Sequence, residues 1–243
     1  MKHPDDPDSD NDRDNDSDND RDNDGDNGSD PVNDPVVAHD AGHSDPDPDD
    51  GADLAGLVLA LIGSRHSVAP KRLSAPGPDA AQLLQMIEAA ACAPDHRALR
   101  PWRLIRIADH QREALADLFE ACSREREPQA NLADLQRSRD KAYRAPTLLL
   151  AVLRATPDDP EVTEVERAVT LGAALMSLLL AAHGLGFGAM LTSGRAVRSV
   201  RFAHALALTP GEQAVCFVSI GSAPAAARRR DRATAQDFLG DWV

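Results

Sequence analysis

Charge divides this chain near residue 50 into two parts with different folding prospects. Residues 1–50 hold 19 Asp and no Glu against Lys2, Arg13 and Arg21, a net −16. The other 193 residues carry 21 acidic and 23 basic side chains, so the body is +2 although the whole 243-residue chain is −14. A stretch of mostly Asp, Asn, Pro, Ser and Gly has almost nothing apolar to bury. It cannot offset the roughly 1–2 kcal/mol per residue that backbone ordering costs. Residues 1–50 are therefore expected to form a disordered Asp-rich tail. Residues 51–243 are expected to form one domain, long enough to bury about 70% of its unfolded surface.

Cys92, Cys122 and Cys216 are odd in number and lie far apart. That spacing argues against a disulfide framework and a structural zinc site, and fits a reducing, cytoplasmic setting. Met1 and Lys2 lead into Pro and Asp rather than an apolar run, so no secretory signal is expected. Ala168 to Gly194 contains no Asp, Glu, Lys or Arg and is long enough to cross a bilayer. Its interruption by Gly184, Gly186 and Gly188, its Thr170, Ser177 and His183, and its lack of an aromatic belt favour a helix at a domain centre or dimer interface.

Apolar periodicity predicts a first helix over Asp53 to Ser64, with Leu54, Leu57, Val58 and Leu61 on one face. A second follows Pro78 and Asp79, with Leu83, Leu84, Ile87 and Ala91 together, and stops before Pro94. Strands are expected at Arg103 to Ala108, Thr147 to Leu153, Gly188 to Thr192 and Ala214 to Gly221. Helices at about 110–123, 131–142, 161–183 and 196–206 intervene, the third starting with Glu161, Glu164 and Glu166 at its positive dipole end. Connections too long for hairpins indicate an α+β domain with a mixed central sheet between helical layers.

Several short motifs stand out, each with an unremarkable reading beside it. S-R-H-S at 64–67 offers a guanidinium and a hydroxyl that suit phosphate, or a solvated helix end; Lys71 and Arg72 add charge to the same turn. C-A-P-D-H at 92–96 with R-P-W at 100–102 makes a rigid loop with polar groups at its tip, or a helix-to-strand connection with a core Trp102. G-L-G-F-G-A-M at 184–190 has the glycines of a dinucleotide fingerprint in the wrong order, helix before strand, so a Rossmann reading is rejected and a tight turn open to a ligand preferred. T-S-G-R at 192–195 places Ser193 near a helix start, where it binds an anion or acts as a cap. D-R-D-N-D-G at 20–25 imitates the opening of a calcium loop, but Pro31 stands where Glu is needed, so no metal site is expected. The A-R-R-R-D-R cluster at 227–232 lacks interleaved aromatics, and nucleic-acid binding has little support. No Ser/His/Asp arrangement or paired carboxylates suggest a catalytic side chain.

Taken in order, S-R-H-S, C-A-P-D-H with R-P-W, the helix ending A-A-H-G-L-G-F-G-A-M, T-S-G, and the strand C-F-V-S-I-G-S-A-P resemble the nitroreductase family, most of all its short YdjA-like branch. The resemblance covers residues 54–243. It implies an intertwined homodimer with two FMN sites, each lined by both chains. It places Arg65, His66 and Ser67, with Leu191, Thr192 and Ser193, on the FMN of the partner chain, and Cys92 and His96 on FMN from the other side of the interface. Ala181, Ala182, His183, Gly184, Leu185 and Gly186 fall where the nicotinamide nucleotide is expected. Two departures fall at the site: the branch commonly has Arg where Cys92 stands, and Trp-Arg where Leu191-Thr192 stand. Lys71, Arg72, Arg103 or Arg228–Arg230 are candidates to replace that charge.

The implied activity is FMN-dependent transfer of electrons from NADH or NADPH to a nitroaromatic, quinone or similar acceptor by a ping-pong mechanism, with the hard chemistry in the cofactor. A non-turnover flavin-binding or sensor module, and an interaction protein acting through its acidic tail, are the alternatives.

Overall fold

The computed structural model describes residues 48–155, 160–224 and 232–242; the expected tail up to residue 47, the calcium-like run and Arg228–Arg230 lie outside these, while residues 48–50, expected in the tail, are helical. Helix α1 spans Pro48–Ser64, α2 Ala80–Ala91, α3 Arg112–Arg126, α4 Leu132–Arg139, α5 Glu164–Gly184 and α6 Val200–Ala205. Strands β1 (Trp102–Arg106), β2 (Thr147–Arg154), β3 (Gly188–Thr192) and β4 (Glu212–Gly221) form one sheet in the order β1-β2-β4-β3. The α+β class holds. All three ladders are antiparallel, and the parallel pairing that a mixed sheet calls for is confined to one bridge, Ser67 to Ala189. Long helical connections return a chain in either direction, so their length did not fix strand polarity.

The uniformly apolar β2 runs between β1 and β4 and is buried on both faces from Leu148 to Leu153. One face meets α2 and α5 through Leu83, Met86 and Ala90 of α2 and Leu171, Ala174, Leu175, Leu178 and Ala182 of α5. Leu84, placed on that face from sequence, is instead exposed: it is about 100° around the helix from Leu83, whereas Met86, Ile87 and Ala90 share Leu83's side. The other face meets α3 and the 195–206 region through Phe119, Phe202 and Phe217, whose ring centroids lie 5.7–6.1 Å apart.

The charge-free run thus becomes most of α5, the turn after it and β3, and the inner side of α5 is core, as expected of a central helix. Thr163 caps it: its hydroxyl accepts from Glu166 N–H at 3.3 Å while Glu166 reaches back to the Thr163 N–H at 2.7 Å. This reciprocal cap starts the helix three residues after Glu161, which pairs with Arg97 at 2.5 Å instead.

Two arginines fix the segment between α3 and β2. Arg112, 4% exposed, donates to the carbonyls of Ala142 (2.8 Å), Ala145 (3.2 Å) and Pro146 (3.1 Å). Arg139 at the end of α4 reaches Glu113, Asp117 and Glu120 of α3. Among the described residues, Arg103 of β1 and Glu212 of β4 make a fork-to-fork pair across β2, Nε to Oε1 at 2.6 Å and Nη2 to Oε2 at 2.9 Å.

Candidate functional site

The chain leaves α1 through Ser64-Arg65-His66-Ser67 and lies along β3: Val68 N–H donates to the Ala189 carbonyl at 3.1 Å. That approach requires Gly188, where a Cβ would sit 2.7 Å from Ala223 Cβ and 2.9 Å from Leu73 Cδ2. The same segment meets the end of α5. Ser64 Oγ and His183 Nε2 are hydrogen-bonded at 2.9 Å, and the His66 and His183 rings stand edge to face at 6.1 Å. Burial, then the charges of His66 and Arg65, lower the His183 pKa and favour its neutral form. Arg65 buries its Nε, which has no hydrogen-bond partner among the described residues. Arg232, at the end of the basic cluster, closes over this turn by donating to the carbonyls of Ile62 (3.3 Å) and Arg65. It satisfies carbonyls that a helix end leaves open and adds a second guanidinium beside Arg65.

At the tip of α5, Leu185 N–H donates to Ala181 O at 2.9 Å and Phe187 N–H to Ala182 O at 2.8 Å, and Gly186 takes φ +85°. Gly184, Leu185 and Gly186 are exposed, whereas Ala182 is wholly buried in the core and supports the turn from beneath.

Farther along, Pro70 and the end of β3 border a cavity of about 440 Å³. Thr192, Ser193 and Gly194 form one side and Phe119, Leu148, Val197 and Phe217 an apolar floor. Arg126, Lys141, Arg144 and Arg195 supply positive charge, and among the described residues no acidic side chain lines the space. Burial, followed by the fields of Arg144 and Arg126, lowers the Lys141 pKa. Leu191 points to the opposite sheet face and packs on the core there. Ser193 is not a helix cap: Ser199 caps α6, accepting from Phe202 N–H at 3.2 Å.

Of the cations expected to replace missing charge, Arg103 is consumed by Glu212. Those beside Thr192 are Lys141, Arg126, Arg144 and Arg195, of which only Arg195 stands in a motif read from sequence, as the last residue of T-S-G-R. The signal was weak: R-S-R-D-K-A-Y-R at 137–144 is basic but has no ligand-binding spacing.

Cys92 and His96 occupy a separate place. Cys92 is exposed at the end of α2, its thiol donating to Glu88 O at 3.4 Å. His96 Nδ1 is 3.5 Å from Glu166 Oε1 at the start of α5. Arg97, Ala98 and Arg100 of this loop hold φ of 60°, 52° and 49°, a left-handed geometry that costs non-glycine residues roughly 1–3 kcal/mol each. Asp95 secures it by accepting from Arg100 N–H at 2.7 Å. Glu166 and His183 are 17 residues apart on one helix, roughly 25 Å at 1.5 Å per residue. Within one chain, the His96 group and the Arg65–His183 group are therefore at opposite ends of α5.

With this geometry in place, comparison with known proteins gives a consistent answer. The family model described as "Nitroreductase family" matches residues 62–222. A Haemophilus influenzae protein whose name proposes it as an NAD(P)H nitroreductase is 30% identical over 183 residues, covering 75% of this chain and 97% of that protein. YdjA of Escherichia coli K12, named in the same way, is 28% identical over 167 residues, 68% of this chain and 87% of its own length. In fold, a nitroreductase-like protein of Bacillus cereus superposes with a TM-score of 0.65 at 19% identity, over 76% of this chain and 95% of that one. An NADPH:FMN oxidoreductase of Vibrio harveyi superposes with a TM-score of 0.58 at 16% identity, over 75% of this chain and 76% of that one. The chain belongs to the nitroreductase family, with YdjA-like proteins among its relatives.

Proposed function

We propose that the chain is an FMN-dependent NAD(P)H oxidoreductase that reduces nitroaromatic, quinone or similar small acceptors by a ping-pong sequence, working as a homodimer in the cytoplasm. Residues 51–243 form the flavin-binding domain in this reading, and residues 1–50 a disordered appendage. The observation that carries it is the strip from Arg65 to Pro70. It has a buried guanidinium nitrogen without a hydrogen-bond partner among the described residues at one end and a cation-lined cavity at the other. Five residues of non-helical chain span at most roughly 16–18 Å, a length suited to an extended mononucleotide. Arg65, with Arg232 beside it, suits the phosphate; Ser67, Thr192, Ser193 and Lys141 suit the polar flank and pyrimidine edge of the ring.

When bound, FMN would supply hydride acceptance from the nicotinamide and release of the electron pair to an oxidant. The chain's own residues bind and tune. A positive charge at Lys141 would stabilise negative charge at the pyrimidine edge, and the same side chain would hold that edge in place. His66 and the neutral His183 shape the turn where Gly184, Leu185 and Gly186 leave backbone open to a nicotinamide nucleotide. No side chain is assigned as a proton donor.

The dimer is supported by what one chain leaves uncovered. On α1, Leu54, Leu57, Val58, Leu59 and Ile62 are exposed, and on α5 so are Val165, Val169, Gly172 and Met176. Phe238, Leu239 and Trp242 near the C-terminus are exposed too. Apolar surface on this scale is characteristic of an interface. A twofold axis that sets two α5 helices antiparallel brings the His96 end of one chain to the Arg65–His183 end of the other, so that Cys92 and His96 join the flavin site from across the interface.

The test is colour. Purified protein, or protein given FMN, should be yellow and should bleach with NADH or NADPH under nitrogen, regaining colour on addition of a nitroaromatic. A yellow protein that does not bleach supports a non-turnover flavin module. A colourless one that takes up no FMN leaves the interaction-protein reading.

A further inference from the structure

The cavity beside Thr192 holds more positive charge than the flavin edge uses. Arg126, Lys141, Arg144 and Arg195 face one space of about 440 Å³. Glu127 tempers two of them from outside its lining, 3.3 Å from Arg126 Nε and 3.8 Å from Arg195 Nη1. Lys141 and Arg144 make no ion pair among the described residues. In the reading above the cofactor's phosphate lies at the Arg65 end, so the pyrimidine edge places at most one negative charge here. Like charges gathered round a partly dry space repel, and a bound anion relieves that repulsion. The floor of Phe119, Leu148, Val197 and Phe217 is apolar and suits a ring.

We propose that the oxidant taken at this site is an aromatic organic anion, its ring against the apolar floor and its carboxylate or sulfonate held by Arg126 and Arg144. The inference rests on the flavin oxidoreductase reading and narrows its substrate class. For a nitro compound the net step is NAD(P)H + H⁺ + Ar–NO₂ giving NAD(P)⁺ + Ar–NO + H₂O. The nicotinamide gives up two electrons, the nitro nitrogen takes them, one N–O bond breaks, and its oxygen leaves as water.

The test compares matched anionic and neutral probes on the flavin-loaded protein at low ionic strength. Calorimetric titration with benzoate and benzamide reads binding without turnover. Steady-state reduction of 4-nitrobenzoate and 4-nitrobenzamide reads kcat/KM, with intrinsic reactivity favouring the more electron-poor amide. Benzoate should bind about tenfold more tightly or better, and 4-nitrobenzoate should lead in kcat/KM by a similar factor, as a charge-assisted contact gives. Both ratios should collapse towards one in the doubly substituted Arg126→Gln, Arg144→Gln protein and in high salt. Ratios near one in the unaltered protein overturn the proposal. So does a double variant that loses FMN affinity but keeps its preference, since these arginines would then serve the cofactor. Failure of NAD(P)H to bleach the flavin would sink the parent reading, whereas bleaching with equal use of both acceptors sinks this inference alone.

Discussion

Replacing Glu212 by Gln removes one carboxylate from a sheet that depends on it. Glu212 is 7% exposed at its side chain, accepts both arms of the Arg103 fork and also accepts from Thr209 N–H at 3.0 Å. The Arg103 hydrogen bonds first, with the Thr209 bonds and the Arg103 charge behind them, hold its pKa down to about 2 from an ordinary 4.5. At about 1.4 kcal/mol per pKa unit this corresponds to roughly 3 kcal/mol. Arg103 is 36% exposed, so solvent screening brings the expectation to about 2 kcal/mol. The sign follows from the direction: the folded state binds the proton more weakly, so the stabilisation is complete above about pH 4.5 and is lost as pH falls towards 2. Urea unfolding at pH 7 should find Glu212→Gln about 2 kcal/mol less stable than the parent, with the two converging by about pH 2–3. Denaturation midpoints that stay a constant distance apart across that range would refute the assignment of this stability to the ionised pair.

Four further outcomes follow from the same geometry. Arg65→Ala should weaken FMN binding by about tenfold to a hundredfold, well beyond Lys71→Ala, in a titration of apoprotein; equal small effects would place the phosphate elsewhere, with Arg228–Arg230 the next candidates. Leu57→Asp, on a face of α1 exposed in the single chain, should shift sedimentation towards monomer and release FMN while leaving far-ultraviolet circular dichroism unchanged; a flavin-loaded monomer would rule out the shared site. Arg112→Met should cost about 3 kcal/mol or more in urea unfolding, because three carbonyls lose their donor, and a loss under 1 kcal/mol would mean solvent replaces it. Deleting residues 1–50 should lower the nicotinamide KM at low ionic strength only, since a −16 tail repels phosphate-bearing ligands until salt screens it; coincident salt series would remove any electrostatic role.

The elements that sequence placed best are those whose limits are set locally. Gly188 to Thr192 is bounded by glycine on one side and Ser-Gly on the other, and β3 has those limits. Thr147 to Leu153 needed only its unbroken apolar run, and β2 extends it by one residue. Where packing decides, sequence fell short. Periodicity puts Leu83, Leu84, Ile87 and Ala91 on one face, but packing centres the buried face on Leu83, Met86 and Ala90 and leaves Leu84 and Ala91 exposed. The direction of each strand depends on how helices lie across the sheet, which composition does not encode, so a mixed sheet was expected where the ladders are antiparallel.

The same division runs through the site. Arg65, His66, Ser67 and His183 could be singled out because short motifs carry them, yet their meeting through Ser64 and along β3 is a tertiary fact. Thr192 looks like a loss of charge in sequence, because two of the four cations around it, Lys141 and Arg144, come from a segment about fifty residues earlier in the chain. Cross-strand register links them: Leu148 of β2 faces Ser219 of β4, and Ser219 faces Met190 of β3. The turn before β2 is held over that same sheet by Arg112, which fixes the carbonyls of Ala142, Ala145 and Pro146 around Lys141 and Arg144. Positive charge beside Thr192 is thus supplied in part from the turn before β2.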